Sequence, residues 1–407
     1  MNISRRHLLT TASAGAALAT FAPGLRVSFA ADGASINDIL IVLFQRGACD
    51  WLQMLAPAGD PNYIAKRPSI KVPTSGTNAG IGLGTLNGTD LYLSASAPEL
   101  KSLYDSGSLA FIHATGLYTV DRSHFVCQDN MEKGTADADP KQSSGWLARH
   151  ISSLGVTQPE LGVISSSSTN PISLLGDPSA VAVADASNFT ISGGDANTKV
   201  IRAVNTGTSP YQASATNTVD AIASLQAGLK TIKDNSADAG YTGGALSVAL
   251  RSLGKLIKMN MGVNVATVDF GSWDMHNSLV SEFAQRTTEF SRALFAFWKD
   301  MVDYQGRITL VTMTEFGRRF QENASAGTDH GAASGMLVLS GKVNGGKIYG
   351  TWPGLAANQL NNGDLAVTTD YRQVLSEILA TRHGEKTLAN VFPTVKYQPL
   401  GFMKSSS

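Results

Sequence analysis

Ile39-Leu40-Ile41-Val42-Leu43-Phe44 is an unbroken apolar run rich in β-branched residues. A strand with one face in water alternates apolar and polar residues. A run without alternation reads as a strand buried on both faces, as in a parallel sheet covered by helices. Four further runs read the same way: Leu109-Ala110-Phe111-Ile112-His113-Ala114, residues 263–270, Ile308-Thr309-Leu310-Val311-Thr312-Met313, and Met336-Leu337-Val338-Leu339. Helix signals lie between them. Residues 97–104 open with Pro98, which suits a first helical turn. Residues 123–132 begin at Ser123, a residue suited to an N-cap. Helices are also expected over 215–234, 244–260 and 370–382. In 279–304, Phe283, Phe290, Leu294, Phe297 and Met301 recur at helical spacing. Strands alternating with helices predict an α/β sandwich of three layers, with a mostly parallel central sheet and helices on both faces. Residues 151–215 carry short alternating pieces among Ser, Asn and Gly, and read as a β-rich insertion.

The N-terminus has a different character. Ser4-Arg5-Arg6-His7-Leu8-Leu9-Thr10, an alanine-rich stretch over 12–22 and Ser28-Phe29-Ala30 describe a twin-arginine export signal cut after Ala30. The apolar stretch is short and moderate beside the ~20 residues of a spanning helix, and no later segment is long enough to span. The protein is therefore expected in the periplasm or secreted, passed to the twin-arginine export machinery. That machinery carries folded proteins, which suits a chain that takes up a metal before export. Residues 31–407 are read as a single domain. They hold 29 basic and 32 acidic side chains. That balance excludes an electrostatic nucleic-acid binder, which shows a basic excess. Cys49 and Cys127 are read as two buried free thiols, with a disulfide as the alternative in an oxidising compartment.

In open α/β sheets, ligands bind beyond the carboxyl ends of the strands. The polar residues with chemical potential lie there: Asp50, Ser123, Asp274 with His276, and Asp329 with His330. Carboxylate oxygen and imidazole nitrogen together suit borderline divalent cations such as zinc. Ser123 at a helix N-terminus sits among unpaired N–H groups that stabilise an alkoxide or an incoming anion, so it is either a nucleophile or only an N-cap. Arg122, Arg318, Arg319 and Arg372 are candidates for holding a tetrahedral oxyanion. Glu315 is a metal ligand or the orienter of an arginine. His113, inside a strand, reads as a core histidine. His124 is expected to face away from the site, because neighbours on a helix point in different directions. His150 and His383 carry no site signal.

These motifs resemble a known family. Phe44-Gln45-Arg46-Gly47-Ala48-Cys49-Asp50, Arg122-Ser123-His124-Phe125, Trp273-Asp274-Met275-His276, Thr314-Glu315-Phe316-Gly317-Arg318, Gly327-Thr328-Asp329-His330-Gly331 and Thr369-Asp370-Tyr371-Arg372 look like the bacterial "domain of unknown function 1501" family. That family is grouped with the alkaline phosphatase-like superfamily, with sulfatases and cofactor-independent phosphoglycerate mutases. The resemblance implies an alkaline phosphatase-like fold and a two-metal site. Asp50, Asp329 and His330 would hold one cation, and Asp274 and His276 the other, zinc or manganese first and magnesium or calcium as alternatives. Ser123 would be the nucleophile, with Arg318 and Arg122 steadying a small anionic ester, a phosphate or a sulfate. The chain departs from the pattern in two places. One residue separates Asp274 from His276 where the superfamily has three, and Asp370 stands where a histidine is expected, so either Asp370 substitutes as a ligand or the second metal is absent, which leaves one metal and arginines. Trp51 replaces a glycine and is expected to narrow the pocket. The rival expectation is a non-catalytic metal- or anion-binding protein on the same fold.

Overall fold

A computed structural model describes residues 38–404, apart from 119–120, 137–141, 156–157, 160, 208, 233 and 235. The export signal lies outside the described residues. The strands are β1 (Ile39–Gln45), β2 (Leu55–Ala56), β3 (Ile81–Leu86), β4 (Thr89–Leu93), β5 (Leu109–Gly116), β6 (Val163–Ser165), β7 (Val181–Ala182), β8 (Val265–Phe270), β9 (Ile308–Met313), β10 (Ser334–Ser340), β11 (Lys347–Tyr349) and β12 (Thr369–Asp370). Nine form one sheet in the order β11-β5-β10-β9-β1-β8-β6-β7, with β12 also beside β5. β10 runs antiparallel to β5 and β9, and the other pairings of this sheet are parallel. The remaining three make a small sheet, β2-β4-β3.

β1 lies in the interior of the large sheet, between β8 and β9, as its lack of alternation requires. Its side chains divide between two cores. Ile39, Ile41 and Leu43 join a cluster with helices Pro98–Asp105, Ala245–Lys258 and Leu279–Asp300. Leu40, Val42 and Phe44 join another with helices His124–Lys133, Trp146–Ser153 and Tyr371–Arg382. The molecule is thus a three-layer α/β sandwich with a mostly parallel sheet. Residues 151–215 hold β6 and β7, which extend the large sheet at one edge, and helix Gly194–Val204. Among the described residues no helix is long and apolar enough to cross a membrane.

Cys49 and Cys127 are free and buried, and lie in different cores on opposite faces of the sheet. Trp51 does not narrow a pocket. Its indole is buried against Phe111, with ring centroids 6.1 Å apart, and lies over Gly335, where a Cβ would come within 2.4 Å of the ring.

Candidate metal centre

Parallel pairing brings the carboxyl ends of β1, β5, β8 and β9 to one rim, and antiparallel β10 begins there. Close backbone approach draws the loops together. Gly47, at φ +110°, lies against the β8 loop, where a Cβ would sit 2.6 Å from the amide nitrogen of Asp274. Gly331 lies so close to the strand exit of β9 that a Cβ would meet the Arg318 carbonyl carbon at 2.3 Å. Both positions exclude any side chain.

Three imidazoles and one carboxylate meet at this rim. The Nε2 atoms of His124 and His330 are 3.0 Å apart, and those of His276 and His330 are 3.1 Å apart. Asp274 Oδ1 lies 2.9 Å from His276 Nε2 and 3.3 Å from His330 Nε2, and Asp274 Oδ2 lies 3.5 Å from His124 Nε2. The opposite nitrogen of each ring is taken. His124 Nδ1 is 2.7 Å from Glu315 Oε1, His276 Nδ1 is 3.0 Å from Asp329 Oδ1, and His330 Nδ1 is 2.8 Å from the Arg122 carbonyl. An ionised carboxylate or a carbonyl only accepts, so each Nδ1 carries the proton. In neutral rings every Nε2 then presents a lone pair, and these lone pairs face one another. A divalent cation between them would convert that repulsion into ligation. In a tetrahedral site with zinc–nitrogen bonds of about 2.0–2.1 Å the ligand atoms stand about 3.3 Å apart, close to the spacings among His124, Asp274 and His330. Carboxylates and carbonyls behind metal-binding histidines are the usual way such rings are oriented. The donors that lie mutually within 4.8 Å are His124, Asp274 and His330, and His276 adjoins them as a fourth.

Arg318 ties the rim together. It is buried and donates to the carbonyls of Ala48 (2.8 Å), Gly47 (2.6 Å), Trp273 (3.3 Å) and Thr328 (2.8 Å), and to Asp274 Oδ1 (2.5 Å). Burial by itself would raise the Asp274 pKa. The Arg318 hydrogen bond and charge outweigh it, with help from His276 and His124, and hold it at about 2. Glu315 is fully buried and accepts from His124, from the Gly47 amide (2.8 Å) and from Gln128 Nε2 (2.9 Å). Burial pushes its pKa up, but these hydrogen bonds carry it below the usual carboxylate range. Its bond to His124 in turn raises the histidine's pKa.

The remaining sequence candidates are placed otherwise. Asp50 lies outside the donor group: its Oδ2 receives Arg67 Nη1 (2.8 Å) and Thr328 Oγ1 (3.1 Å), both buried. Its Oδ1 is buried with no hydrogen-bond partner among the described residues. Asp370 caps helix Tyr371–Arg382 and is gripped at both oxygens by Arg372, at 2.9 and 2.6 Å. A carboxylate already neutralised by a forked arginine has little to offer a cation. Asp329 stands behind His276. Ser123 is the exposed N-cap of helix His124–Lys133, and its amide donates to Asp121 Oδ1 at 2.7 Å. Arg122 and Arg319 share the buried Asp364, and both stay partly exposed. His124, expected to face away, is in the cluster. Ser123 is still extended (φ −82°, ψ 122°), so His124 is the first helical residue. Its side chain slants back toward the helix N-terminus, and so toward the rim. The sequence signal for it was the Arg122-Ser123-His124-Phe125 motif itself.

No curated protein matches the chain. The crystal structure of the lipoteichoic acid synthase LtaP from Listeria monocytogenes is similar in chain trace, at 9% identity and a TM-score of 0.33, over 89% of this chain and 80% of that one. Residues 106–378 match the family described as "Protein of unknown function (DUF1501)". This segment carries every donor of the rim cluster, and the chain belongs to the DUF1501 family.

Proposed function

We propose that the protein is a metal-dependent hydrolase of phosphate or sulfate esters that works outside the cytoplasm with one divalent cation. The observation that carries this reading is the set of Nε2 lone pairs and Asp274 oxygens meeting at an open rim. The Asp274 and His276 side chains are 46% and 42% exposed, and catalytic metal sites, unlike structural ones, keep a position open to substrate. His124, His330 and Asp274, whose donor atoms lie within 4.8 Å of one another, would hold the ion, with His276 adjoining them and the fourth position left to substrate. Mixed imidazole and carboxylate donors favour zinc, then manganese, over magnesium or calcium, which prefer oxygen alone. A bound cation there supplies charge that lowers the pKa of an oxygen nucleophile and polarises the ester.

Arg318 keeps Asp274 ionised and positioned. Ser123, exposed at the start of the helix that carries His124, is the proposed nucleophile, aided by the unpaired N–H groups of that turn. Arg122, with its guanidinium partly in solvent, is placed to meet the ester's anionic oxygens. The export motif supports action in the periplasm or beyond it.

Metal content of protein purified without chelator, followed by assays on 4-nitrophenyl phosphate and 4-nitrophenyl sulfate, tests the reading. About one equivalent of zinc or manganese per chain and hydrolysis abolished in Ser123→Ala are expected. Metal uptake without hydrolysis of either ester class moves the protein to the non-catalytic binding reading, which the arginine pairs on Asp50 and Asp370 favour. Absence of uptake sinks the hydrolase and leaves the anion-binding form of the rival reading.

A further inference from the structure

We propose that the groove beside β11 and β12 binds a saccharide chain. The groove is a cavity of about 700 Å3 at the edge of the large sheet, and none of the rim donors lines it. It does not depend on the metal centre for its argument.

The groove is a built feature. Its floor is Asp370, fixed by Arg372 through both oxygens, so the floor carries no net charge. One wall is the segment 394–400, stapled to helix Tyr371–Arg382. Gln373 Nε2 donates to the Lys396 carbonyl (2.8 Å), Gln373 Oε1 receives the Gln398 amide (2.8 Å), and Arg372 Nη1 donates to Thr394 Oγ1 (2.9 Å). The other wall continues from β11, where Thr368 Oγ1 donates to the Thr351 carbonyl (2.7 Å). A groove held open in this way spares a ligand part of the ordering cost of binding.

Its chemistry narrows the ligand. Among the described residues, Lys396 is the one basic residue of the lining, too little for a phosphate or a polyanion, which calls for converging arginines or lysines. Asp370 is the one acidic residue and is already paired, so a cation has no donor set. Threonine hydroxyls and glutamine amides interrupt every apolar stretch, which disfavours a lipid tail. What remains are hydroxyl and amide groups flanked by two tyrosines. Tyr118 is 58% exposed just past β5, and Tyr349 is fixed by its hydroxyl bond to the Asn344 carbonyl (2.8 Å) and by the Phe402 ring. Tyrosine offers an apolar ring face and a polar tip. A sugar ring, with an apolar face and a hydroxylated edge, is complementary to that arrangement.

The test uses the full chain, titrated calorimetrically with tetrasaccharides built from β-1,4-linked N-acetylglucosamine, β-1,4- and α-1,4-linked glucose and β-1,4-linked xylose. At least one should bind with Kd near or below about 1 mM. Tyr118→Ala should weaken it tenfold or more and Tyr118→Trp should restore it, with metal content unchanged in both. Tyr118 is a surface residue, and circular dichroism confirms that the variants are folded. The proposal is overturned if no tetrasaccharide binds, if Tyr118→Ala binds as well as the parent, or if the groove takes an extended peptide along β11 in preference to any sugar.

Discussion

Six of the seven histidines lie in the described residues, and they divide into two sets that contrast. At the rim, His124, His276 and His330 each have Nδ1 fixed from behind and Nε2 turned toward a common, solvent-facing point. In the interior, His113 is fully buried, with Nδ1 receiving the Ala114 amide (2.8 Å) and Nε2 facing the Leu55 carbonyl (3.2 Å). His150 pairs through Nδ1 with Glu385 (2.9 Å), and its Nε2 has no partner. His383 packs edge-on against His150, with ring centroids 6.0 Å apart. The lesson is that histidine content says little, whereas the direction of the free nitrogen says much. Interior rings fill space or hold two backbone strands together. Rim rings pool their lone pairs.

Structural zinc sites are worth about 10–16 kcal/mol over four ligands, so loss of one ligand should cost on the order of 100-fold or more in affinity. His330→Ala should show this in a competitive zinc titration, whereas His150→Ala should leave metal affinity unchanged. An equal effect of both would erase the distinction. Glu315→Gln comes next. It keeps the shape but weakens the hold on the His124 tautomer, and removal of such a partner typically costs about 10–100-fold. The same titration reads it, and unaltered affinity would show that Glu315 is only a packing element.

The third concerns acid. Burial holds the His113 pKa down at about 4, against the pull of the Leu55 carbonyl. The unfolded chain, with an ordinary value near 6.5, then binds the proton more readily than the native one. The stability is complete above about pH 6.5 and falls as pH drops toward 4, by about 2 kcal/mol between pH 7 and pH 5. Burial depresses His150 and His383 in the same direction. Urea midpoints at the two pH values check this, and His113→Gln should flatten the slope. A slope that stays as steep would assign the acid sensitivity elsewhere. The smallest effect is expected for Asp329→Asn. Its side chain is 60% exposed, against full burial for Glu315, and solvent screening leaves its bond to His276 worth roughly 1 kcal/mol or less. Metal affinity should fall by a few-fold only. A loss as large as that of His330→Ala would make Asp329 a ligand.

The fold was legible because strand burial writes itself into sequence. The apolar runs at β1, β5, β8, β9 and β10 appear as strands, and the phenylalanine spacing over 279–304 appears as helix Leu279–Asp300. Of the cluster, Asp274, His276 and His330 were legible from type and position. His124 was not, since a helix argument cannot place its first residue without knowing where the helix begins. Nor was the placement of Asp50. Its neighbour Arg67 comes from the end of a short helix 17 residues on, and no periodicity records that pairing. Asp370 and Arg372 are two apart, yet whether such neighbours grip each other or face outward depends on the cap geometry. Type and rim position can be read along the chain, but ion pairing must be read across it.

Arg318 has a consequence for how the molecule comes together. Its guanidinium bridges residues 47 and 48 after β1, residue 273 after β8 and residue 328 before β10, contacts that reach across up to 271 positions of sequence. Contacts of such separation close slowly and late. Until the sheet has assembled, residue 124, the neighbouring pair 274 and 276, and residue 330 lie apart, and the full donor set does not exist to recruit an ion. Uptake of the proposed ion would therefore be an event of the finished fold, and a chain that carried it would already have passed its own inspection.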